Sequence, residues 1–271
     1  MTSAADTWEP GRYELFKDER TRPFHDLLGL IEPIEGGRAA DLGCGTGELT
    51  ALLHRAVRAG ETIGIDSSAA MLERSATFAG DGVSFRRGDI ARFDAERDGE
   101  FDLILANASV QWIPDHPRLL ATLMRALRPG GQLAVQVPYN SDHASHRLIR
   151  EIAMEEPFRA ALADPLVRDP AQSVLRPEQY ATTLHDLGFV EQTVRMEVYG
   201  HELGSAAEVV TWTQATTLTP VRARLDAAAY DEFVARYRAA IIDELGDERP
   251  YFYTFKRIMF RGRLPDGRHP A

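Results

Sequence analysis

The chain has 271 residues, of which 44% are hydrophobic and 27% are charged, a composition typical of a folded globular protein and not of a disordered or fibrous one. Its net charge of −10 argues against binding a nucleic-acid backbone, which requires clustered Lys and Arg side chains. The single cysteine, Cys44, excludes an internal disulfide, and no Cys/His cluster has the spacing of a zinc site.

Short apolar runs alternate with helical patterns in the first half of the chain. The sequence predicts strands at Arg38–Leu42, Thr62–Ile65, Val83–Arg86, Phe101–Ala106 and Gln132–Val137, and helices at Glu48–Ala59, Ser68–Phe78 and Pro117–Leu127. A turn is expected at Pro129-Gly130-Gly131. Strand–helix alternation at this spacing predicts a parallel, doubly wound sheet.

The pattern changes after Pro138. Helices are predicted at Ser145–Glu155, Pro177–Leu187 and Asp226–Leu245, and two late strands at Val190–Tyr199 and Tyr251–Phe260. We therefore expect an α/β fold, a doubly wound, mostly parallel sheet of seven strands with a helical cap over its carboxyl edge. The predicted cap consists of an N-terminal lid segment at 1–34 and of insertions at 139–187 and 204–247, whereas 35–138, 188–203 and 248–271 form the core.

A glycine-rich segment, DLGCGTG at 41–47, leaves the first predicted strand and enters the first helix. Gly43 and Gly45 let the backbone approach a ligand closely, and the helix offers its free N–H groups. The dinucleotide pattern G-x-G-x-x-G would need glycine where Glu48 stands, and this carboxylate would repel a pyrophosphate. A nicotinamide cofactor is therefore disfavoured. S-adenosylmethionine has no pyrophosphate, and its cationic sulfur suits Asp41 at the strand end.

Carboxylates also follow the second and third predicted strands. Asp66 comes 21 residues after Gly45, where it can accept both ribose hydroxyls of an adenosine cofactor, with Ser67 beside it. The alternative is that Asp66 only caps the following helix. Asp89 can accept from the adenine amino group while Ile90 packs on the ring, although Gly-Asp is also ordinary turn chemistry.

Asn107 stands at the tip of the fourth strand, at the centre of the sheet, where the methionine part of the cofactor is expected to pass. Trp112 follows one helical turn later and either lines the pocket or packs in the core. Together the four segments resemble the class I S-adenosylmethionine-dependent methyltransferases over roughly 35–140. The segment 35–138 is therefore expected to be the S-adenosylmethionine-binding core.

A narrower resemblance extends over nearly the whole chain. The opening W-x-P-x-x-Y-x-x-F from Trp8, the R-x-R-P ending at Pro23, and the segment ANASVQWIPDH from Ala106 are similar to the trans-aconitate methyltransferases, as are Ser145-His146, Thr211-Trp212 and FKRIMF at 255–260. The resemblance implies transfer of a methyl group from S-adenosylmethionine to one carboxylate of trans-aconitate. Such an acceptor has an ordinary pKa near 4, so it is ionised at pH 7 and needs no general base.

Side chains that could hold a carboxylate acceptor are expected in several segments. The candidates are Tyr13, Arg20, Trp112, His146 and Arg150. Arg22 is assigned instead to the carboxylate of the cofactor, because Arg and carboxylate groups form bidentate pairs. His146 would donate to a carboxylate or act as the catalytic base toward a less acidic acceptor, unless it is structural. Tyr13 could equally dock the N-terminal segment, and Arg150 could pair with Glu151 or Glu155.

Two other functions stay open from the sequence. The chain could be an O-, N- or C-methyltransferase of a secondary metabolite, or a protein that binds S-adenosylmethionine without catalysis. The segment from Met1 to Trp8 carries no apolar signal core, and no stretch approaches the roughly 20 apolar residues that span a bilayer. We therefore expect a cytoplasmic protein with a small-molecule acceptor and with no membrane, metal or nucleic-acid partner. The sequence leaves the oligomeric state open.

Overall fold

A computed structural model describes residues 17–164 and 173–267, with side chains from Thr21 onward. Tyr13 and the W-x-P-x-x-Y-x-x-F motif lie outside the described residues, and Arg20 lies in a helix whose first side chains are not described. In the described part, no helix is both long enough and apolar enough to cross a bilayer.

The described residues form one sheet of seven strands in the order β3-β2-β1-β4-β5-β7-β6. The strands are β1 Arg38–Leu42, β2 Glu61–Asp66, β3 Val83–Arg87, β4 Phe101–Asn107, β5 Leu127–Pro138, β6 Val190–Leu203 and β7 Tyr251–Arg263. Strands β1 to β5 pair in parallel, and β7 pairs antiparallel with β5. The predicted doubly wound, mostly parallel sheet is confirmed.

Helices connect these strands, and six of them overlap the predicted helices. They are α1 Lys17–Leu28, α2 Glu48–Ala56, α3 Ala69–Ser75, α4 Ala95–Asp98, α5 His116–Arg125, α6 Ala144–Ala153, α7 Pro177–Asp186, α8 Glu208–Gln214, α9 Thr219–Arg224 and α10 Ala227–Leu245. Helix α3 begins at Ser68, whose hydroxyl accepts from the Met71 N–H, and α10 begins at Asp226, whose carboxylate accepts from the Ala229 N–H. Both side chains satisfy a donor that the helix itself leaves unpaired.

The predicted turn at Pro129-Gly130-Gly131 is instead part of β5. This strand already pairs with β4 at Leu127, and a register shift between Phe101 and Leu103 absorbs the turn residues. Helices α8 and α9 were not expected as separate elements. They are short, and α8 is buried on most of its surface, so it shows no amphipathic period.

The chain divides into two compact units. The first unit holds Arg20–Pro138, Ser173–Glu197 and 257–267. Strands β1 and β4 are its most buried elements, and Phe24 and Leu27 of α1 are completely buried in it. Two segments that were predicted for the cap fall in this unit. Most of α1 belongs with the sheet and not with a lid, and so does α7, because Tyr180 stacks on Phe260 of β7 with ring centroids 4.6 Å apart.

The second unit holds 17–19, 139–164 and Val198–Lys256. Helices α6, α8, α9 and α10 surround an aromatic core. Phe158 and Phe233 meet edge to face at 5.1 Å, and Trp212 and Tyr253 meet in the same way at 5.6 Å. The ends of two strands, 198–203 of β6 and 251–256 of β7, belong to this unit and not to the core in which they were expected. That this unit caps a ligand stays a prediction.

Candidate functional site

The glycine-rich loop at 43–47 joins β1 to α2, and its glycines have two different reasons to be there. At Gly43 an added Cβ would lie 2.3 Å from the Cβ of Ser109, so the close packing of the β4 loop requires glycine. At Gly45, with φ at +55°, an added Cβ would meet nothing within 4 Å. Gly45 therefore borders open space, as the predicted ligand-binding role requires.

Asp66 ends β2 and holds the glycine-rich loop in place. Its Oδ2 accepts from the Gly45 N–H at 2.9 Å, and its Oδ1 accepts from the Ser68 N–H at 2.8 Å. Ser68 and not Asp66 caps α3, so the helix-capping alternative does not account for Asp66. A carboxylate can accept about four hydrogen bonds in all, so these two contacts do not conflict with the predicted role of Asp66 toward the ribose hydroxyls.

The segment after β3 lies beside the same loop. The side chain of Ile90 reaches within 3.6 Å of the position that a Cβ on Gly43 would take. Asp89 is exposed, and its Oδ1 accepts from the Ala91 N–H at 2.9 Å, which starts a short 3-10 helix. This is the turn chemistry that the sequence left open, and it uses only part of the acceptor capacity of the carboxylate. Ser67 is exposed, and its carbonyl accepts from the Arg87 Nε at 3.2 Å.

Asp41 is buried below the loop and not at its surface. Its Oδ2 accepts from the Thr50 hydroxyl at 2.6 Å. Burial, with a smaller contribution from the charge of Asp66, raises the pKa of Asp41 to about 6. Its neighbour Cys44 is also buried, and burial raises the pKa of its thiol. A thiol held protonated in this way is a packing group and not a nucleophile.

The end of β4 carries an unused polar atom. Asn107 Oδ1 is buried and has no hydrogen-bond partner in the described part of the chain. The following loop is fixed by Ser109, whose hydroxyl donates to the Leu42 carbonyl at 2.6 Å. Ala108 takes a left-handed conformation with φ at +51°. Trp112 is half-buried at the end of a short 3-10 helix, so its assignment to pocket or core stays open.

His116 directly precedes Pro117 and is the first residue of α5. It is buried, and burial lowers its pKa. Its Nδ1 lies 2.5 Å from the Tyr180 hydroxyl and its Nε2 lies 3.0 Å from the Val110 carbonyl. The ring therefore ties α7 to the loop after β4 as a structural histidine.

His146 lies in the second unit, in a buried network of hydroxyl groups. Its Nδ1 is 3.0 Å from the Ser145 hydroxyl, and its Nε2 is 3.3 Å from the Thr217 hydroxyl. Burial, assisted by the charges of His143 and Arg150, lowers its pKa to about 3. The imidazole is therefore neutral at pH 7, and both of its nitrogens have protein neighbours. This geometry favours binding over general-base catalysis, which works best with a pKa near the operating pH.

The sequence did not reveal the partners of His146. Ser145 Oγ also lies 3.0 Å from the Tyr253 hydroxyl, and the Tyr237 hydroxyl donates to the Ser145 carbonyl at 2.9 Å. Tyr253 and Tyr237 are about 100 residues further along the chain, so no local pattern links them. Arg150 follows His146 by one helical turn, and its Nη2 donates to the Ser141 carbonyl at 2.8 Å.

The other expected cationic residue, Arg22, is exposed on α1, next to Pro23 within the helix. Its assignment to the cofactor carboxylate stays a prediction. Between 17 and 164 and between 173 and 267, no group of three or more His, Cys, Asp or Glu side chains could hold a metal ion.

Comparison with known proteins gives consistent matches. Residues 40–135 match a family described as a methyltransferase domain. A trans-aconitate 2-methyltransferase of Deinococcus radiodurans is 43% identical over 96% of this chain and 99% of its own length. The same enzyme of Streptomyces avermitilis is 38% identical over 95% of this chain and 97% of its own.

A crystal structure of a putative methyltransferase from Bacillus halodurans shares the fold, with a TM-score of 0.57, 13% identity, and coverage of 90% of this chain and 99% of that one. The structural likeness supports the class I methyltransferase fold, and the sequence similarity extends over nearly the full length of both chains. The chain therefore belongs to the trans-aconitate 2-methyltransferase family.

Proposed function

We propose that the chain is an S-adenosylmethionine-dependent methyltransferase that esterifies one carboxylate of trans-aconitate, a small tricarboxylic acid. The observation that carries this proposal is the 43% identity to a trans-aconitate 2-methyltransferase over 96% of the chain. The similarity includes both compact units, and therefore both the glycine-rich loop and the network around His146. A match limited to the sheet would support only the binding of S-adenosylmethionine and not the choice of acceptor.

The residues at the carboxyl edge of the sheet fit S-adenosylmethionine. Gly45 borders open space in front of the loop, and Asp66, whose carboxylate accepts from the Gly45 N–H, would bind the ribose hydroxyls. The unpartnered Oδ1 of Asn107 is an acceptor that the ammonium group of the methionine part can satisfy. Asp89 and Ile90 would hold the adenine, and Arg22 the cofactor carboxylate. The buried carboxylate of Asp41 adds a negative charge below the loop.

The protein's task in this reaction is binding and orientation. When bound, S-adenosylmethionine supplies a methyl group on a positively charged sulfur. The acceptor carboxylate is already ionised at pH 7, so no side chain has to remove a proton. Correct orientation of two bound reactants can lower the barrier by about 7–11 kcal/mol. With a pKa of about 3, His146 is neutral and acts as a hydrogen-bonding group, and Arg150, Arg20, Tyr13 and Trp112 are the other candidates for holding the acceptor.

The test is a methyl-transfer assay with S-adenosylmethionine and trans-aconitate, with cis-aconitate, citrate and isocitrate as matched acids. We expect turnover of trans-aconitate at least tenfold above the others. Absence of turnover, with S-adenosylmethionine binding intact by calorimetry, would refute the acceptor. Methylation of a different compound in a metabolite extract would then identify an O-, N- or C-methyltransferase. If no compound is methylated, the chain is a protein that binds S-adenosylmethionine without catalysis.

A further inference from the structure

Strand β5 carries two glutamines, and each of them accepts a hydrogen bond from an arginine of β7. Gln132 and Gln136 are four residues apart, so they lie on one face of the sheet. Gln132 Oε1 accepts from the Arg261 Nε at 3.1 Å, and Gln136 Oε1 accepts from the Arg257 Nη1 at 3.3 Å. A guanidinium has donors only, so each glutamine must turn its oxygen toward the arginine and its NH₂ group away from it.

The two NH₂ groups differ in what they reach. Gln132 Nε2 donates to the Glu32 carbonyl at 2.9 Å and its Oε1 also accepts from the Glu32 N–H at 3.0 Å, so both ends of this amide are bonded inside the protein. Gln136 is 0% exposed, and its Nε2 has no hydrogen-bond partner among the residues that the structure describes. Buried donors are rarely left in this state unless a ligand, a water molecule or a functional requirement accounts for them.

The position of Gln136 in the sheet indicates which ligand it would meet. It lies near the carboxyl end of β5, in register with Asn107 at the end of β4, and register partners on parallel neighbours share a face. An unused donor and an unused acceptor therefore lie side by side at this edge. The residues proposed to hold adenosine, Asp66 and Asp89, follow β2 and β3, which lie on the other side of β4.

We propose that Gln136 is a specificity-determining residue for the acceptor, with its Nε2 donating to one acceptor carboxylate. Arg257 is a positioning residue, because it fixes the orientation of the amide and places a positive charge behind it. The neighbouring Oδ1 of Asn107 then takes the ammonium group of the cofactor. This assignment rests on the proposed function, since it requires an anionic acceptor on the β5 side of the methyl group.

The test compares Gln136→Leu with Gln132→Leu. Loss of a hydrogen bond to a charged group predicts that Gln136→Leu raises the KM for trans-aconitate about 10- to 100-fold, with kcat within about threefold of wild type. The Kd of S-adenosylhomocysteine, measured by calorimetry, should stay within twofold. Gln132→Leu removes an equally buried glutamine that is already satisfied. It should lower the melting temperature and leave KM unchanged.

Two further variants keep the inference testable if Gln136→Leu does not fold. Gln136→Glu retains the contact with Arg257 but presents a carboxylate, and we expect a KM increase at least as large. Arg257→Lys should raise KM less than Gln136→Leu does, and combining the two substitutions should add little, because both act through one amide.

The outcomes separate this inference from the proposed function. Wild-type turnover of trans-aconitate with an unchanged KM in Gln136→Leu overturns the inference alone. An equal weakening of S-adenosylhomocysteine binding would assign Gln136 to the cofactor and also overturn it. Absence of wild-type binding and turnover of trans-aconitate overturns the proposed function and the inference together.

Discussion

Replacing His146 with glutamine is expected to remove a pH-dependent contribution to stability. Burial lowers the pKa of His146 to about 3 in the folded protein, whereas an unfolded histidine has a pKa of about 6.5. Between these values the unfolded state binds the proton more tightly, so the contribution is fully present above pH 6.5 and declines as the pH falls toward 3. At pH 5 the two pKa values correspond to a loss of about 2 kcal/mol relative to pH 8.

The assay is urea unfolding at pH 8 and pH 5, followed by tryptophan fluorescence. Wild type should lose about 2 kcal/mol more than His146→Gln on going to pH 5, because the carboxylates that titrate in this range are common to both proteins. The control is His185→Gln, which removes an exposed histidine of α7 and should behave as wild type. An equal loss in wild type and His146→Gln would refute the assignment of His146 as a buried, neutral imidazole.

Three other substitutions test the site and its support. Asp66→Asn should weaken S-adenosylhomocysteine binding about 10- to 100-fold in calorimetry, because charge-assisted bonds to the ribose are lost, whereas the exposed Asp186→Asn should not. Gly45→Ala places its Cβ in open space at φ +55°, so it should destabilise the fold by only about 1–2 kcal/mol in urea unfolding while weakening the same ligand at least tenfold. Tyr180→Phe leaves His116 Nδ1 without its buried partner and should lower the free energy of unfolding by about 1–3 kcal/mol, with ligand binding unchanged.

The sequence predicts those elements of the fold that carry their own local signals. Helix α10 was expected at Asp226–Leu245, because its apolar side chains recur at spacings of three and four. The helix begins at the Asp226 cap and ends before Gly246. Helix α8 shows no such period, because neighbouring helices cover it on most sides. Helix α7 was assigned to the cap, since nothing near Tyr180 in the sequence indicates that it stacks on Phe260.

The same distinction holds for the candidate site. The glycine-rich loop and Asp66 could be predicted because each follows a strand and precedes a helix in the chain. A hydrogen bond from the Gly45 N–H to Asp66 joins the two segments. The role of His116 could not be predicted, because its partner Tyr180 is 64 residues away. His146 was recognised by resemblance, but its low pKa depends on burial and on the charges of His143 and Arg150, and its Nε2 neighbour Thr217 is 71 residues away.

The two glutamines of β5 show why residue types alone cannot identify the acceptor side of the site. Gln132 and Gln136 both lie on a buried face of β5 and both contact an arginine of β7. They differ in whether a backbone carbonyl reaches the NH₂ group. At Gln132 that carbonyl belongs to Glu32, 100 residues away, and at Gln136 no described residue provides one. Asn107 Oδ1 and Gln111 Oε1 are left unpartnered at or just after the same end of β4. Buried polar atoms in folded proteins are usually paired, so these three atoms at and just after the ends of β4 and β5 point to a ligand at this edge of the sheet.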